Sequence, residues 1–315
     1  MTKHIAITDT PKSLKYGIDF SPWDPFIHRV DGVIFDLDGT LIINNEVAAL
    51  DLIGDVFKDF LKAKHGITDK RCYRPYAGMG LDAIRRCVGE YYEVNIPASI
   101  EDDIFMARKK TPFPDEEVVV HPFFRGSVEY YHENNIMLRI ATGGELDRAM
   151  RYIKAAGLAP FFTEERAIDA AIELCERSPN ALAHYMEHGV DNWLFYSKKP
   201  NNRSYLQAIA SMQRVNPSVS VQRVICYEDS VSGISAGHSS SVHSIGHQLA
   251  THLPTEKQSR INHHINLCQA GASAVIRNER LAVHAVECVL CQDVPERNPA
   301  TTTTVFMHQA TCAQH

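Results

Sequence analysis

The chain has 315 residues, 44% of them hydrophobic, enough for one large domain or a core with a smaller unit. Its net charge is −6 and its basic residues are dispersed, which argues against nucleic acid as the main partner. No run approaches about 18 consecutive apolar residues, so no membrane span is expected, and eight cysteines scattered over this length do not make a disulfide framework. Met1 to Thr10 lacks the apolar core of a secretory signal, and the chain reads as a soluble, cytoplasmic protein without internal repeats.

Residues 1–30 hold Pro11, Pro22 and Pro25, which disfavour long regular elements. Trp23, Phe26 and Ile27 are apolar enough to pack on a core, so the segment reads as a docked extension. Val33-Ile34-Phe35 then runs into Asp36-Leu37-Asp38-Gly39-Thr40-Leu41, a short apolar strand ended by a turn signal. Side chains at i and i+2 of a strand point the same way, so Asp36 and Asp38 can reach one small space at its frayed end. Paired carboxylates there need a cation or hydrogen-bond donors, and magnesium is the usual cation where phosphate is handled. Asp-Gly is also a common turn pair, and spacing alone leaves a polar strand-to-turn corner open.

Val47, Leu50, Ile53, Gly54, Phe57, Phe60 and Leu61 recur at three- and four-residue steps, predicting a helix that ends at His65-Gly66. Further periodic segments at Leu81–Tyr92 and Ile100–Lys109 complete a helical module over residues 42–119, with Pro112 and Pro114 at its exit. Strands and helices then alternate: helix Phe124–Asn134, strand Ile136–Ala141, helix Asp147–Ala156 closed by Gly157, and a short strand near Phe161–Phe162. Next come helical residues 165–189 broken at Pro179, helix Tyr205–Met212, strand Val221–Tyr227, helix Val231–His238, strand Val242–Gly246 and a last strand Ala274–Ile276. Such alternation predicts parallel βαβ units on one sheet, with a ligand site at the carboxyl ends of its strands. Pro295, Pro299 and Thr301 to Thr304 give residues 291–315 the look of a loose tail. Cys288-x-x-Cys291 is a single pair near His284, short of the four ligands of a zinc site, and carries no assigned role.

Three later positions can join the two aspartates. Thr142 ends a strand before Gly143-Gly144, where a hydroxyl and free backbone N–H groups make an anion pocket or simply a strand-to-helix turn. Lys198-Lys199-Pro200 offers a cation that could balance a phosphoryl group, or an exposed lysine pair. Glu228-Asp229-Ser230 ends another strand.

Taken in order, Asp36-x-Asp38-Gly-Thr, Thr142, Lys199-Pro200 and Glu228-Asp229-Ser230-x-x-Gly233-x-x-Ala236 resemble the four motifs of the haloacid-dehalogenase-like (HAD) hydrolases, over roughly residues 31–290. The helical module directly after the first motif is similar to the cap of the β-phosphoglucomutase and phosphoglycolate-phosphatase branch. The resemblance implies a Rossmann-like parallel α/β core (residues 31–41 and 120–290) with an inserted α-helical cap (42–119). It implies Asp36 as nucleophile and Asp38 as general acid/base. Magnesium would sit on Asp36, Asp38 and Asp229, supported by Glu228. Gly39, Thr40, Thr142, Gly143 and Lys199 would bind phosphate. Gly78-Met79-Gly80 resembles a cap loop that reaches the substrate, and equally a helix–helix connector. Gly233 would let its helix pack on the Asp36 loop.

The implied activity is magnesium-dependent hydrolysis of a small phosphorylated metabolite, such as a sugar phosphate or phosphoglycolate, through an aspartyl-phosphate. A phosphomutase or a non-catalytic phosphate-binding protein would share the core. The sequence departs from the family pattern in three places. Asn201-Asn202 follow Lys199-Pro200, extra helical residues separate Thr142 from Lys199 at about 165–195, and Ser240-Ser241 replace an Ala-Gly pair.

Overall fold

The structure, a computed structural model, describes residues 14–76, 79–253 and 255–291. Among these residues six strands form one sheet: β1 (Gly32–Phe35), β2 (Met137–Thr142), β3 (Leu194–Tyr196), β4 (Val224–Glu228), β5 (His243–His247) and β6 (Ala274–Ile276). All neighbours are parallel, in the order 3-2-1-4-5-6. β1 lies at the centre because both its faces are apolar. Val33 and Phe35 enter one core with Phe124, Ile140 and Tyr227, and Ile34 enters the other with Ala141, Phe195 and Met212. In an open sheet of this order the chain turns in opposite directions on the two sides of β1, and the carboxyl ends of β1 and β4 open a crevice there.

Three helices fill the interval after β1: α1 (Asn45–His65), α2 (Leu81–Tyr92) and α3 (Ile100–Lys110). They bury a core of their own, including Leu50, Ile53, Phe57, Leu61, Ile84, Val88, Ile100 and Ile104. α1 stops where the sequence says, because Gly66 takes φ 68° and its N–H returns to Leu61 and Lys62 carbonyls. Asp69 ties the unit together. It accepts from Arg71 Nε and Nη2, Tyr73 Oη and Tyr92 Oη at 2.7–3.1 Å.

The remaining helices are α4 (Pro122–Glu133), α5 (Leu146–Ala155), α6 (Ala159–Phe162), α7 (Glu165–Arg177), α8 (Pro179–His188), α9 (Arg203–Val215), α10 (Val231–Ser239), α11 (Lys257–Gln269) and α12 (Glu279–Leu290). Residues 165–188 form two helices, α7 and α8, parted at Ser178-Pro179. The amino-terminal segment is docked where it is described. Phe20 and Trp23 are fully buried against Phe123, Tyr130 and Tyr131, and Trp23 Nε1 donates to the Val283 carbonyl at 2.9 Å.

Several expectations need correction. Phe161–Phe162 is not a strand but the end of the short helix α6, which restarts after Gly157 with Pro160 in its first turn. The strand expected from Val221 starts at Val224, where pairing with Gly32 begins; Val221–Arg223 form a 3-10 turn. β3, α11 and α12 were not foreseen as elements. Ser241 holds φ 63°, the left-handed conformation a glycine would take without strain. Cys288 and Cys291 are exposed in the last turn of α12. Gly78 of the Gly78-Met79-Gly80 loop, and the tail beyond residue 291, lie outside the described residues.

Candidate active site

Asp36 is the first residue past β1, and its N–H still donates to Tyr227 O at 3.0 Å, so the sheet ladder fixes its position. Its side chain is buried. Lys199 Nζ donates to Asp36 Oδ1 and also to Glu228 Oε1. Glu228 is fully buried and takes further bonds from Tyr205 Oη (2.5 Å) and Ser230 Oγ (3.1 Å). Burial alone would lower the Lys199 ammonium pKa, but Asp36 and Glu228 outweigh it and raise it, so the lysine stays charged. Lys198 is exposed, and the choice of Lys199 over its neighbour agrees with that.

Burial, with Glu228 and Asp229 beside it, pushes the Asp36 carboxyl well above the carboxylate range despite Lys199. Asp229 is likewise pushed up by burial, to about 6, with His252 opposing and Glu46 and Glu228 adding. Three carboxylates therefore lie together: Asp36, Glu228 and Asp229 each offer an oxygen, all within 4.8 Å of one another. Asp36 Oδ2 is buried and has no hydrogen-bond partner. An unpartnered carboxylate oxygen in an all-oxygen, negatively charged cluster fits a hard divalent cation such as magnesium.

The Asp38 side chain turns towards α1 and α5. It accepts from Asn45 Nδ2, at the first turn of α1, and from Arg148 Nη2 on α5 at 3.0 Å. Thr142 is buried and its Oγ1 accepts from Gly144 N at 2.9 Å, closing the turn after β2. A Cβ on Gly144 would lie 2.5 Å from Asp38 Oδ2 and 3.3 Å from Thr142 Oγ1, so this glycine keeps the second aspartate and the threonine together. Gly143 is exposed beside them. Arg108, from α3, reaches towards the same end, 3.9 Å from Glu145.

Two glycines have jobs the sequence left open or misplaced. Gly39, at φ 90°, lets the aspartate loop lie against Asp229, since a Cβ there would come within 2.3 Å of Asp229 Oδ2. Gly233 does not serve the Asp36 loop: a Cβ on it would strike the Glu228 carboxylate at 2.0 Å. Thr40 also differs from its expected part. Its hydroxyl faces inward to His247 Nε2 at 2.9 Å. His247 Nδ1 accepts from Leu249 N, so the ring donates to Thr40 through Nε2.

Sequence reasoning missed Asn45, Glu46, Arg148 and His252. His252 Nε2 lies 3.1 Å from Asp229 Oδ2 and its Nδ1 2.9 Å from Glu46 Oε2. Burial would lower its pKa, but the two carboxylates push it up to about 10. Asn45 and Glu46 could have been suspected from their place just after the Asp-x-Asp loop; Arg148 and His252 carry no spacing signal.

Residues 30–240 match the family model of haloacid dehalogenase-like hydrolases. No curated protein sequence is detectably similar to the chain. Among solved structures, a conserved haloacid dehalogenase-like protein of unknown function from Agrobacterium tumefaciens is 22% identical, with a TM-score of 0.53 over 84% of this chain and 100% of that one. A HAD family hydrolase from Deinococcus radiodurans, solved with bound phosphate and sodium, is 17% identical, with a TM-score of 0.51 over 84% of this chain and 98% of that one. A predicted phosphoglycolate phosphatase from Haemophilus somnus is 12% identical, with a TM-score of 0.51 over 82% and 98%.

Proposed function

The chain belongs to the haloacid dehalogenase-like hydrolases, and from that premise we propose that it is a magnesium-dependent phosphatase of the β-phosphoglucomutase and phosphoglycolate-phosphatase branch. Its substrate would be a small phosphomonoester of the sugar-phosphate or phosphoglycolate type. The observation that carries the reading is Asp36, with one oxygen held by Lys199 and the other buried and unpartnered.

Asp36 attacks phosphorus, the bond to the leaving oxygen breaks, and an aspartyl-phosphate forms. Asp38 gives its proton to the leaving oxygen, then takes one from a water that attacks phosphorus and frees Asp36 and phosphate. Asn45 and Arg148 hold Asp38 in place through both halves. Lys199 is the fixed positive charge beside the transferring group, and the Thr142 hydroxyl with the Gly143-Gly144 turn offers donors to its oxygens. Magnesium, held by Asp36, the Asp38 backbone carbonyl and Asp229 with support from Glu228, would offset carboxylate and phosphate charge so that the two anions can approach. The α1–α3 unit would act as a cap that excludes bulk water and selects the leaving group. Arg108 of that unit lies near both Glu145 and Arg148 and is a candidate to meet that group. A cytoplasmic setting belongs to the same proposal.

The test is turnover of the purified protein on a panel of phosphorylated metabolites. Phosphate release that stops in excess chelator and returns with magnesium supports the reading. Full turnover in chelator removes the metal assignment, and no release from any monoester removes the phosphatase. Trapping with a sugar bisphosphate separates the phosphatase from a mutase on the same core.

A further inference from the structure

Asp229 is not held by the catalytic residues alone. His252, in the loop after β5, is buried and places Nε2 3.1 Å from Asp229 Oδ2. Its other ring nitrogen lies 2.9 Å from Glu46 Oε2, in the first turn of α1. The loop carrying His252 is itself pinned, since Thr251 N and Oγ1 both donate to the Ile43 carbonyl, at 3.1 and 2.5 Å. Gly39 leaves room for the arrangement, because a Cβ there would lie 2.3 Å from Asp229 Oδ2 and 3.0 Å from His252 Cε1. The ring thus lies between two carboxylates, within ion-pair distance of each, one of them the carboxylate expected to bind the cation.

We propose that His252 is a positioning residue that sets the Asp229 carboxylate for divalent-cation binding, and that Glu46 fixes the imidazole from its other side. The proposal rests on the reading of Asp229 as a cation ligand. A carboxylate ligand whose second oxygen is tied by a donor presents the first in one orientation, and losing such a support typically weakens metal binding by about 10- to 100-fold. Glu46 belongs to α1, so the helical unit reaches the cation site through this chain of three groups.

The two ring nitrogens allow a test that a packing role would not pass. Asparagine at 252 can put its amide nitrogen near Nδ1, facing Glu46, whereas glutamine can put one near Nε2, facing Asp229. Calorimetric titration of the full chain with magnesium chloride, without substrate, reads the affinity directly. We expect His252→Asn to weaken magnesium binding by about tenfold or more, and His252→Gln to stay within about threefold. Glu46→Gln should lose about three- to tenfold. Equal affinities for the asparagine and glutamine variants would overturn the proposal, as would an unaltered affinity in His252→Asn. Melting in chelator shows which variants fold, and if His252→Asn does not, an unaltered affinity in Glu46→Gln overturns the proposal instead. Nitrogen coupling from His252 in the spectrum of bound manganese would make it a ligand rather than a support and would also overturn it. Asp229→Asn separates the two levels. If it binds magnesium normally, the cation assignment fails and the proposal falls with it; if it loses the ion while His252→Asn keeps it, only the role of His252 fails.

Discussion

Asp36 in the crevice and Asp69 in the helical unit are both buried carboxylates, and their surroundings are opposite. Asp69 receives hydrogen bonds from Arg71, Tyr73 and Tyr92 on both its oxygens. Burial would raise its pKa, but those donors outweigh it and hold the carboxyl well below the usual carboxylate range. Asp36 has one partner, Lys199, which it shares with Glu228, and an oxygen with none. The first arrangement is complete and adds stability. The second is short of hydrogen-bond donors and positive charge, which costs stability.

The sharpest way to break this comparison is to neutralise Asp36. Asp36→Asn should lower turnover by at least about a thousandfold, the scale for a lost covalent nucleophile. In chelator it should melt no lower than the unaltered chain, because one of three crowded carboxylates is gone. A clear drop in melting temperature would mean that Asp36, like Asp69, is a structural anion.

The lysines come next. Lys199→Ala should lower turnover by roughly a hundredfold or more, as for loss of one preorganised charge. Lys198→Ala should change it by less than about fivefold, the scale of an exposed charge. A crippled Lys198→Ala with an active Lys199→Ala would reverse the assignment.

Asp69→Asn tests the other side and should remove about 2 kcal/mol of stability at pH 7, as for hydrogen bonds to a charged group. Because the folded-state pKa is depressed, this contribution is present above the unfolded value near 4 and fades as pH falls towards the folded one. Denaturant melts at pH 7 and pH 3 should therefore show the gap between variant and unaltered chain narrowing in acid. A gap that stays constant would leave Asp69 a packing residue. The smallest effect is expected at Ser241, exposed at φ 63°. Ser241→Gly should stabilise by roughly 1 kcal/mol without altering turnover, and a lower melting temperature would show that the serine contributes more than its conformation costs.

What the sequence revealed follows from range. The β1 strand, its two aspartates and the end of α1 at Gly66 depend on neighbours within a few residues, and all lie where periodicity and turn chemistry put them. Lys199 was chosen over Lys198 because the family motif it resembles sets the lysine before a proline, and its Nζ lies against Asp36. The short β3 strand was not, since three residues between the Asp191-Asn192 turn and Ser197 carry too little pattern. α11 was hidden because Leu267 is the one residue of that helix fully buried, so no apolar face repeats. His252 and Arg148 reach the site only through the sheet order, across sequence distances that no local pattern spans. Gly233 was recognised as necessary but matched to the wrong neighbour, because the clash it avoids is with the side chain of Glu228.

The Trp23 bond to Val283 joins two residues 260 apart in the chain. β1 itself pairs with β2 and with β4, which follow it by about a hundred and about two hundred residues of chain. As the polypeptide leaves the ribosome, β1 and the aromatic side chains before it emerge ahead of their final partners. The helical unit, whose buried contacts lie within residues 50–104, can settle first. Asp36 acquires its crowded surroundings only after Glu228 has emerged, and the aromatic cluster is sealed only when α12 arrives. A chain halted before α12 would carry every residue of the candidate site and still leave the Trp23 indole N–H without the Val283 carbonyl.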